Sequence, residues 1–159
     1  MPTFSALVDD CLNMECWQLF ANNVRSNPCY NQHMTPITLT VLREYCNRKT
    51  AVVETFPFDE ETLVFKVMGK MFALTNIRAT ELSVNLKCDP DWAMILRDHY
   101  TAVTPGYHMN KRHWNTVIID GSIPDDEIWE MVDHSYRLVV KGLKKSDRET
   151  LAAMRLMEE

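Results

Sequence analysis

Within seven residues, His108 to Trp114, the chain sets two imidazoles, an amide, an ammonium, a guanidinium and an indole in the string HMNKRHW. Lys111 and Arg112 can pair with phosphate, Asn110 can hydrogen-bond a base edge or a phosphate, and Trp114 or the preceding Tyr107 can stack on an exposed base. Together these side chains suit nucleic acid, and Lys66, Lys70 and Lys87, from segments that read as strands, are the cations that could gather beside them. A plainer reading exists for the same residues: a tryptophan at a strand start is a core or rim residue, and two adjacent cations form a solvated turn. His108 and His113 are five apart, which in an extended segment turns them to opposite faces and is wrong for one shared metal ion. Neither has a recognisable catalytic partner. No G-x-S-x-G elbow, H-E-x-x-H or P-loop occurs, and Asp120 reads as the organiser of an Asp-Gly-Ser turn. The acids of Phe58–Thr62, FDEET, lack the alternate ligands and glycine of a calcium loop. The expectation is a non-enzymatic protein with no metal and no cofactor.

Whole-molecule charge argues that any such binding is local and weak. The chain has 159 residues and a formal net charge of −5, so its overall field does not attract phosphate. Between Ile37 and Glu149, fifteen Lys and Arg face seventeen Asp and Glu, a net of −2, where a DNA-binding domain is typically basic. Many of those acids have a sufficient role at helix starts and in loops. The length suits one core, and 46% hydrophobic with 25% charged residues is ordinary globular usage. Five cysteines, odd in number and without a C-x-x-C pair, read as idle thiols in a reducing compartment. With no apolar run of about eighteen residues and no leader-like N-terminus, the expected location is cytoplasmic.

Periodicity supplies the elements that must position these side chains. Phe4, Leu7, Val8, Cys11, Leu12, Cys16 and Leu19 recur at helical spacing, and the asparagine-rich stretch after them reads as a linker. Thr38 caps a helix with Leu39, Leu42, Tyr45 and Cys46 on one face. Four short runs rich in Val, Leu, Phe and Thr follow, AVVETF, TLVFKVM, MFALT and ELSVNLK, and read as antiparallel strands. Gly69-Lys70 between the second and third suits a type II′ turn. Ser83, Asn85 and Lys87 form the wet side of the fourth strand, opposite Leu82, Val84 and Leu86. Asp89-Pro90 opens a helix whose apolar face includes Trp92, Ile95 and Leu96. After Pro105-Gly106 the run WNTVIID is a strand, and Ser122 with Asp125 resembles a capping box. The helix after it presents Ile128, Trp129, Val132, Tyr136, Val139, Val140 and Leu143 as one stripe, with His134 opposite it and exposed. This order predicts an α+β two-layer sandwich, a mainly antiparallel sheet packed by helices.

TFPFDEETLVFKVMGKMFAL, LSVNLKCDPDWA and TPGYHMNKRHWNTVIIDGSIPDDEIWEMVDHSYRLVVKGL together resemble the MmcQ/YjbR family, from about Ile37 to Leu143. The residues that match the family's motif are His108, Asn110, Lys111, His113, Trp114, Thr116, Asp120, Gly121 and Pro124, with Phe65, Lys66, Lys87 and Pro105 before them. The resemblance implies a CyaY-like fold and a family described as DNA-binding with a double-wing arrangement; it implies no known enzyme.

The expected organisation is an N-terminal extension at residues 1–36, an MmcQ/YjbR-like domain at 37–149 and a C-terminal helix or tail at 150–159. The expected function is weak, salt-dependent contact with DNA through Lys66, Lys70, Lys87, His108, Asn110, Lys111, Arg112, His113 and Trp114. The alternative is a protein-interaction module that uses the sheet face or the N-terminal helix, the latter also a candidate homodimer contact. An enzyme using His108 or His113 is a third reading, which an apolar pocket around both rings would favour.

Overall fold

Six strands, each short and β-branched or aromatic, pair into one sheet in the computed structural model, which describes residues 36–158 of a compact unit beginning at Pro36. The helix expected over Phe4–Phe20, its linker and the dimer contact assigned to it lie outside the described residues. In chain order the elements are α1 (Leu39–Asn47), β1 (Val52–Thr55), β2 (Thr62–Val67), β3 (Lys70–Asn76), β4 (Ser83–Lys87), α2 (Pro90–His99), β5 (Val103–Pro105), β6 (Trp114–Ile118), α3 (Asp125–Lys141) and α4 (Lys145–Glu158). All neighbours pair antiparallel in the order β1-β2-β3-β4-β6-β5. This is the α+β layered class that the order of elements predicts.

Strand alternation separates two unlike faces. Leu63, Phe65, Val67, Val84, Leu86 and Val117 point to the helices and join Leu42, Ala93, Leu96, Val132, Tyr136 and Leu151 in the main core. Burying one such side chain is worth roughly 1.5–3 kcal/mol, so this face holds the fold together. On the other face, Val64, Leu74 and Trp114 form a small cluster with Met71 and Met109 against it. Among the described residues, all four helices contribute to the first face, and only the segment around Met109 packs on the second.

A bulge breaks the β2–β3 register, since Phe65 pairs with Ala73 but Lys66 pairs with Met71. Phe72 is the extra residue, and both Phe72 and Ala73 enter the core. The disturbed ladder is closed from α3. Ser135, 0% exposed, donates its hydroxyl to the Phe72 carbonyl and accepts the Lys87 N–H at 2.8 Å, bridging β3 to β4.

Several local expectations need correction. The β2–β3 turn is Met68–Gly69, because Val67 pairs with Lys70; φ is 47° and 77° at the two turn residues, the pattern of a type I′ turn. The capping box does not form: α3 begins at Asp125 after Pro124 with no side-chain cap, and the Ser122 hydroxyl donates to Asp120 Oδ1. Asp125, Asp126 and Glu127 answer the helix dipole instead. Ile95 is 45% exposed, because α2 buries Ala93 and Leu96 and turns Ile95 outward. His134 is half-buried rather than exposed. Its Nε2 accepts the Asp89 N–H at 3.2 Å and its ring meets Trp92 edge-on at 4.3 Å. Burial, aided by the nearby Arg137 charge, pushes its pKa down to about 4.

Candidate nucleic-acid interface

Register decides where the proposed contact residues fall. Lys66 pairs with Met71, Ala73 with Leu86 and Lys87 with Trp114, so the end of β2, the start of β3, the end of β4 and the start of β6 share one end of the sheet. Lys66, Lys70, Lys87 and the segment entering β6 are therefore gathered there. Lys66 and Lys87 both project on the face away from the helices, on strands separated by one neighbour, or roughly 10 Å. Lys70 differs. It pairs with Val67, whose side chain enters the helix-side core, so Lys70 sits exposed at the hairpin tip beside the open face.

Among the described residues, the open face carries no strand carboxylate. Its strand residues are Val53, Thr55, Thr62, Val64, Lys66, Met71, Leu74, Asn76, Ser83, Asn85, Lys87, Thr104, Trp114, Thr116 and Ile118. Glu54, the one acidic strand residue among those described, turns the other way and pairs with Arg43 of α1, whose guanidinium holds its carboxyl below the usual range. Asp89 and Asp91 are spent at the start of α2, where Asp89 Oδ1 accepts the Asp91 N–H at 3.0 Å. The charge balance of the whole domain thus conceals a face whose strand charges are all cationic, set among polar residues and a small apolar cluster.

Residues 106–113 run as turns above this face, not as the extended segment the sequence suggests, so the face argument about His108 and His113 does not apply. Gly106 is fixed by close approach. A Cβ there would lie 2.8 Å from Trp114 Cβ and 3.1 Å from both Met109 Cβ and the Trp114 carbonyl oxygen. The Gly106 N–H donates to that carbonyl at 2.8 Å. Tyr107 N–H donates to Thr116 Oγ1 at 3.1 Å, and that hydroxyl donates to Asn85 Oδ1 at 2.6 Å, anchoring the loop to the open face. His108 takes φ of 56°, the left-handed region, and its ring lies 4.0 Å from that of Tyr107. Asn110 organises the next turn: its Oδ1 accepts the Arg112 N–H and its carbonyl accepts the His113 N–H, both at 3.0 Å. The His113 carbonyl accepts the Cys88 N–H at 2.8 Å, joining the loop to the β4 end.

The nine expected residues thus divide. Lys66, Lys87, Lys70, His108, Lys111 and Arg112 reach the surface at one end of the sheet, with Asn110 and the half-buried His113 in the loop between them. Trp114 does not. At 8% exposure it lies beneath Met109 as a packing residue, the plainer of its two readings, and Tyr107, 74% exposed, is the ring available for stacking.

Arg97 of α2 was invisible to sequence reasoning. Its Nε donates to Asn115 Oδ1 at 2.8 Å, and its terminal nitrogen donates to the carbonyls of Lys111 and Trp114. A guanidinium from α2 thereby holds the basic loop where it enters β6. Nothing periodic marks such a residue. No group of three or more His, Cys, Asp or Glu is placed to hold a metal ion among the described residues. Cys46 and Cys88 are buried thiols whose pKa values burial pushes up to about 12, which makes them poor nucleophiles.

Comparison with known proteins agrees with this architecture. The YjbR family model matches residues 47–138. The uncharacterized protein YjbR of Escherichia coli K12 is 34% identical over 118 residues, covering 74% of this chain and 100% of that protein. The uncharacterized protein YbdF of Escherichia coli O157:H7 is 37% identical over 94 residues, 59% of this chain and 77% of that one. A Deinococcus radiodurans crystal structure with a DUF419 domain superposes with a TM-score of 0.69 at 42% identity, covering 76% of this chain and 92% of that one. A Pseudomonas syringae structure gives 0.57 at 25% identity, covering 64% and 98%. With the family model matching residues 47–138 and a relative 34% identical over its whole length, the chain belongs to the YjbR family.

Proposed function

We propose that this protein binds nucleic acid weakly and without catalysis, laying the phosphate backbone across the open sheet face and the basic loop. One observation carries the reading: the face away from the helices has Lys66 and Lys87 and no strand carboxylate, at the end where Lys70, Lys111 and Arg112 also emerge. Tyr107 and His108 add exposed rings for an unpaired base, and the Asn85 amide N–H groups and the Ser83 hydroxyl suit sugar and phosphate oxygens. The Met68–Gly69 hairpin and the Tyr107–His113 loop would be the two wings. Few cations are involved, so affinity should be modest, with a salt dependence in proportion to the number of phosphates they contact.

Fluorescence anisotropy of labelled single-stranded and duplex oligonucleotides tests this at low and moderate salt. Binding at tens of micromolar protein or below in low salt, lost as salt rises, is the expected result; no binding in low salt rejects the reading. A second reading, a protein-interaction module, is favoured by Val53 at 58%, Phe56 at 47% and Phe58 at 64% exposure beside edge strand β1. Pull-down with and without nuclease separates the two, because a partner held through these side chains survives the nuclease.

A further inference from the structure

On the helix side, away from the basic loop, a cleft of about 270 Å³ opens between the end of α1, α3 and α4. Arg48, Lys49, Arg137 and Arg155 line it, against Asp133 as the one carboxylate and Tyr136. The charges are not equally available. Lys49 donates to Asp133 Oδ1 and sits 4.4 Å from the centre of the Tyr45 ring, while Tyr45 donates its hydroxyl to both Asp133 oxygens at 3.1 Å. Asp133 is thus fully engaged. Burial and that carboxylate raise the Tyr45 pKa, so the phenol stays a donor. Arg137 is paired with Glu130. Arg48 and Arg155 form no ion pair among the described residues, and both are exposed at the cleft. Arg155 lies over the Tyr136 ring, 5.8 Å from its centre, and that ring's hydroxyl donates to the Thr50 carbonyl at 2.9 Å.

We propose that this cleft binds a small phosphorylated molecule, whose phosphoryl group bridges Arg48 and Arg155. Two guanidiniums from separate elements, neither paired with a carboxylate among the described residues, present planar donor forks that match phosphate oxygens. Asp133 and Glu130 balance Lys49 and Arg137, so the net positive charge of the cleft comes from Arg48 and Arg155, and the Tyr136 ring gives one apolar wall. The volume suits a phosphate with a sugar-sized group and not a folded polymer. Because Arg155 comes from the C-terminal helix, binding also ties α4 to α1 and α3. The site is independent of the nucleic-acid reading, whose residues lie on another surface.

The test uses the full chain, with ribose 5-phosphate and inorganic pyrophosphate as probes and ribose as the uncharged control, followed by amide NMR and thermal unfolding. Both phosphates should shift the amides of Arg48, Thr50 and Arg155 and raise the melting temperature, with ribose silent. If pyrophosphate alone acts, the site takes a phosphate anion and the bound-sugar part is wrong. Arg48→Gln/Arg155→Gln should keep the fold, since both side chains are exposed and the only contacts of Arg155 given up among the described residues are a long 3.5 Å hydrogen bond to the Tyr136 hydroxyl and the face of that ring, and should weaken binding at least tenfold. Lys66→Gln/Lys87→Gln should leave it unchanged, which separates this site from the open face. No cleft shifts at tens of millimolar probe, or equal shifts in the arginine variant, overturns the proposal.

Discussion

Replacing Gly106 by alanine tests whether the basic loop is held rigidly against the open face. The added Cβ would meet Trp114 Cβ at 2.8 Å and Met109 Cβ and the Trp114 carbonyl at 3.1 Å each. None of these atoms belongs to a flexible side-chain end that could swing aside. The backbone is equally constrained, since Gly106 donates to Trp114 at 2.8 Å and accepts from Met109 at 3.2 Å. Relief requires the loop to lift from Trp114 or β6 to shift, which places the cost in the overpacking range of about 1–3 kcal/mol. At this chain length that lowers the melting temperature by about 2–4 °C per kcal/mol. Urea unfolding followed by far-UV circular dichroism should show a lower midpoint at unchanged slope, and amide shifts should centre on residues 105–116. Gly142→Ala is the control. Its Cβ would meet only ordinary contacts at 3.5 and 3.6 Å, so its stability should be unchanged or slightly higher. A Gly106→Ala loss below about 0.5 kcal/mol, within the range of neutral surface changes, would refute the close-packed loop.

Two further substitutions probe residues that cross between elements. Ser135→Ala strips a partner from both the Phe72 carbonyl and the Lys87 N–H, and should cost roughly 2–4 kcal/mol as two backbone groups lose their bonds; an effect under about 1 kcal/mol by the same urea assay would mean the bulge satisfies itself. His134 has a folded pKa pushed down to about 4 from 6.5, so its neutral form stabilises the fold above pH 6.5 and that stability is lost as pH falls toward 4. With the side chain only half-buried, the contribution is discounted to about 2 kcal/mol. His134→Gln, whose amide oxygen can still accept the Asp89 N–H, should flatten stability between pH 6.5 and 5; equal slopes in both proteins would contradict it.

What the sequence reveals follows from where the information sits. Leu63, Phe65 and Val67, like Val84 and Leu86, alternate against one core, so their strands are readable one at a time, and the stripe on α3 is readable at helical period. The open face follows from the same alternation, with Asn85 and Lys87 opposite Val84 and Leu86. Pairing between strands is a different matter. The bulge at Phe72 and the turn at Met68–Gly69 depend on register with β2, which neither strand encodes alone. Ser135, His134 and Arg97 act by reaching another element's backbone, so no local pattern marks them. Trp114 fits a stacking role and a packing role equally well in sequence, and only Met109 folding over it decides between them.

The central claim, that cations on the open face engage phosphate, is tested most directly by the salt dependence of single-stranded DNA binding in wild type and in Lys66→Gln/Lys87→Gln. Each phosphate neutralised contributes a slope of about −0.7 to log K against log salt. Losing both lysines should therefore weaken binding and make the slope shallower by about 1.4, while the melting temperature holds. An unchanged slope and affinity in the variant would contradict the account.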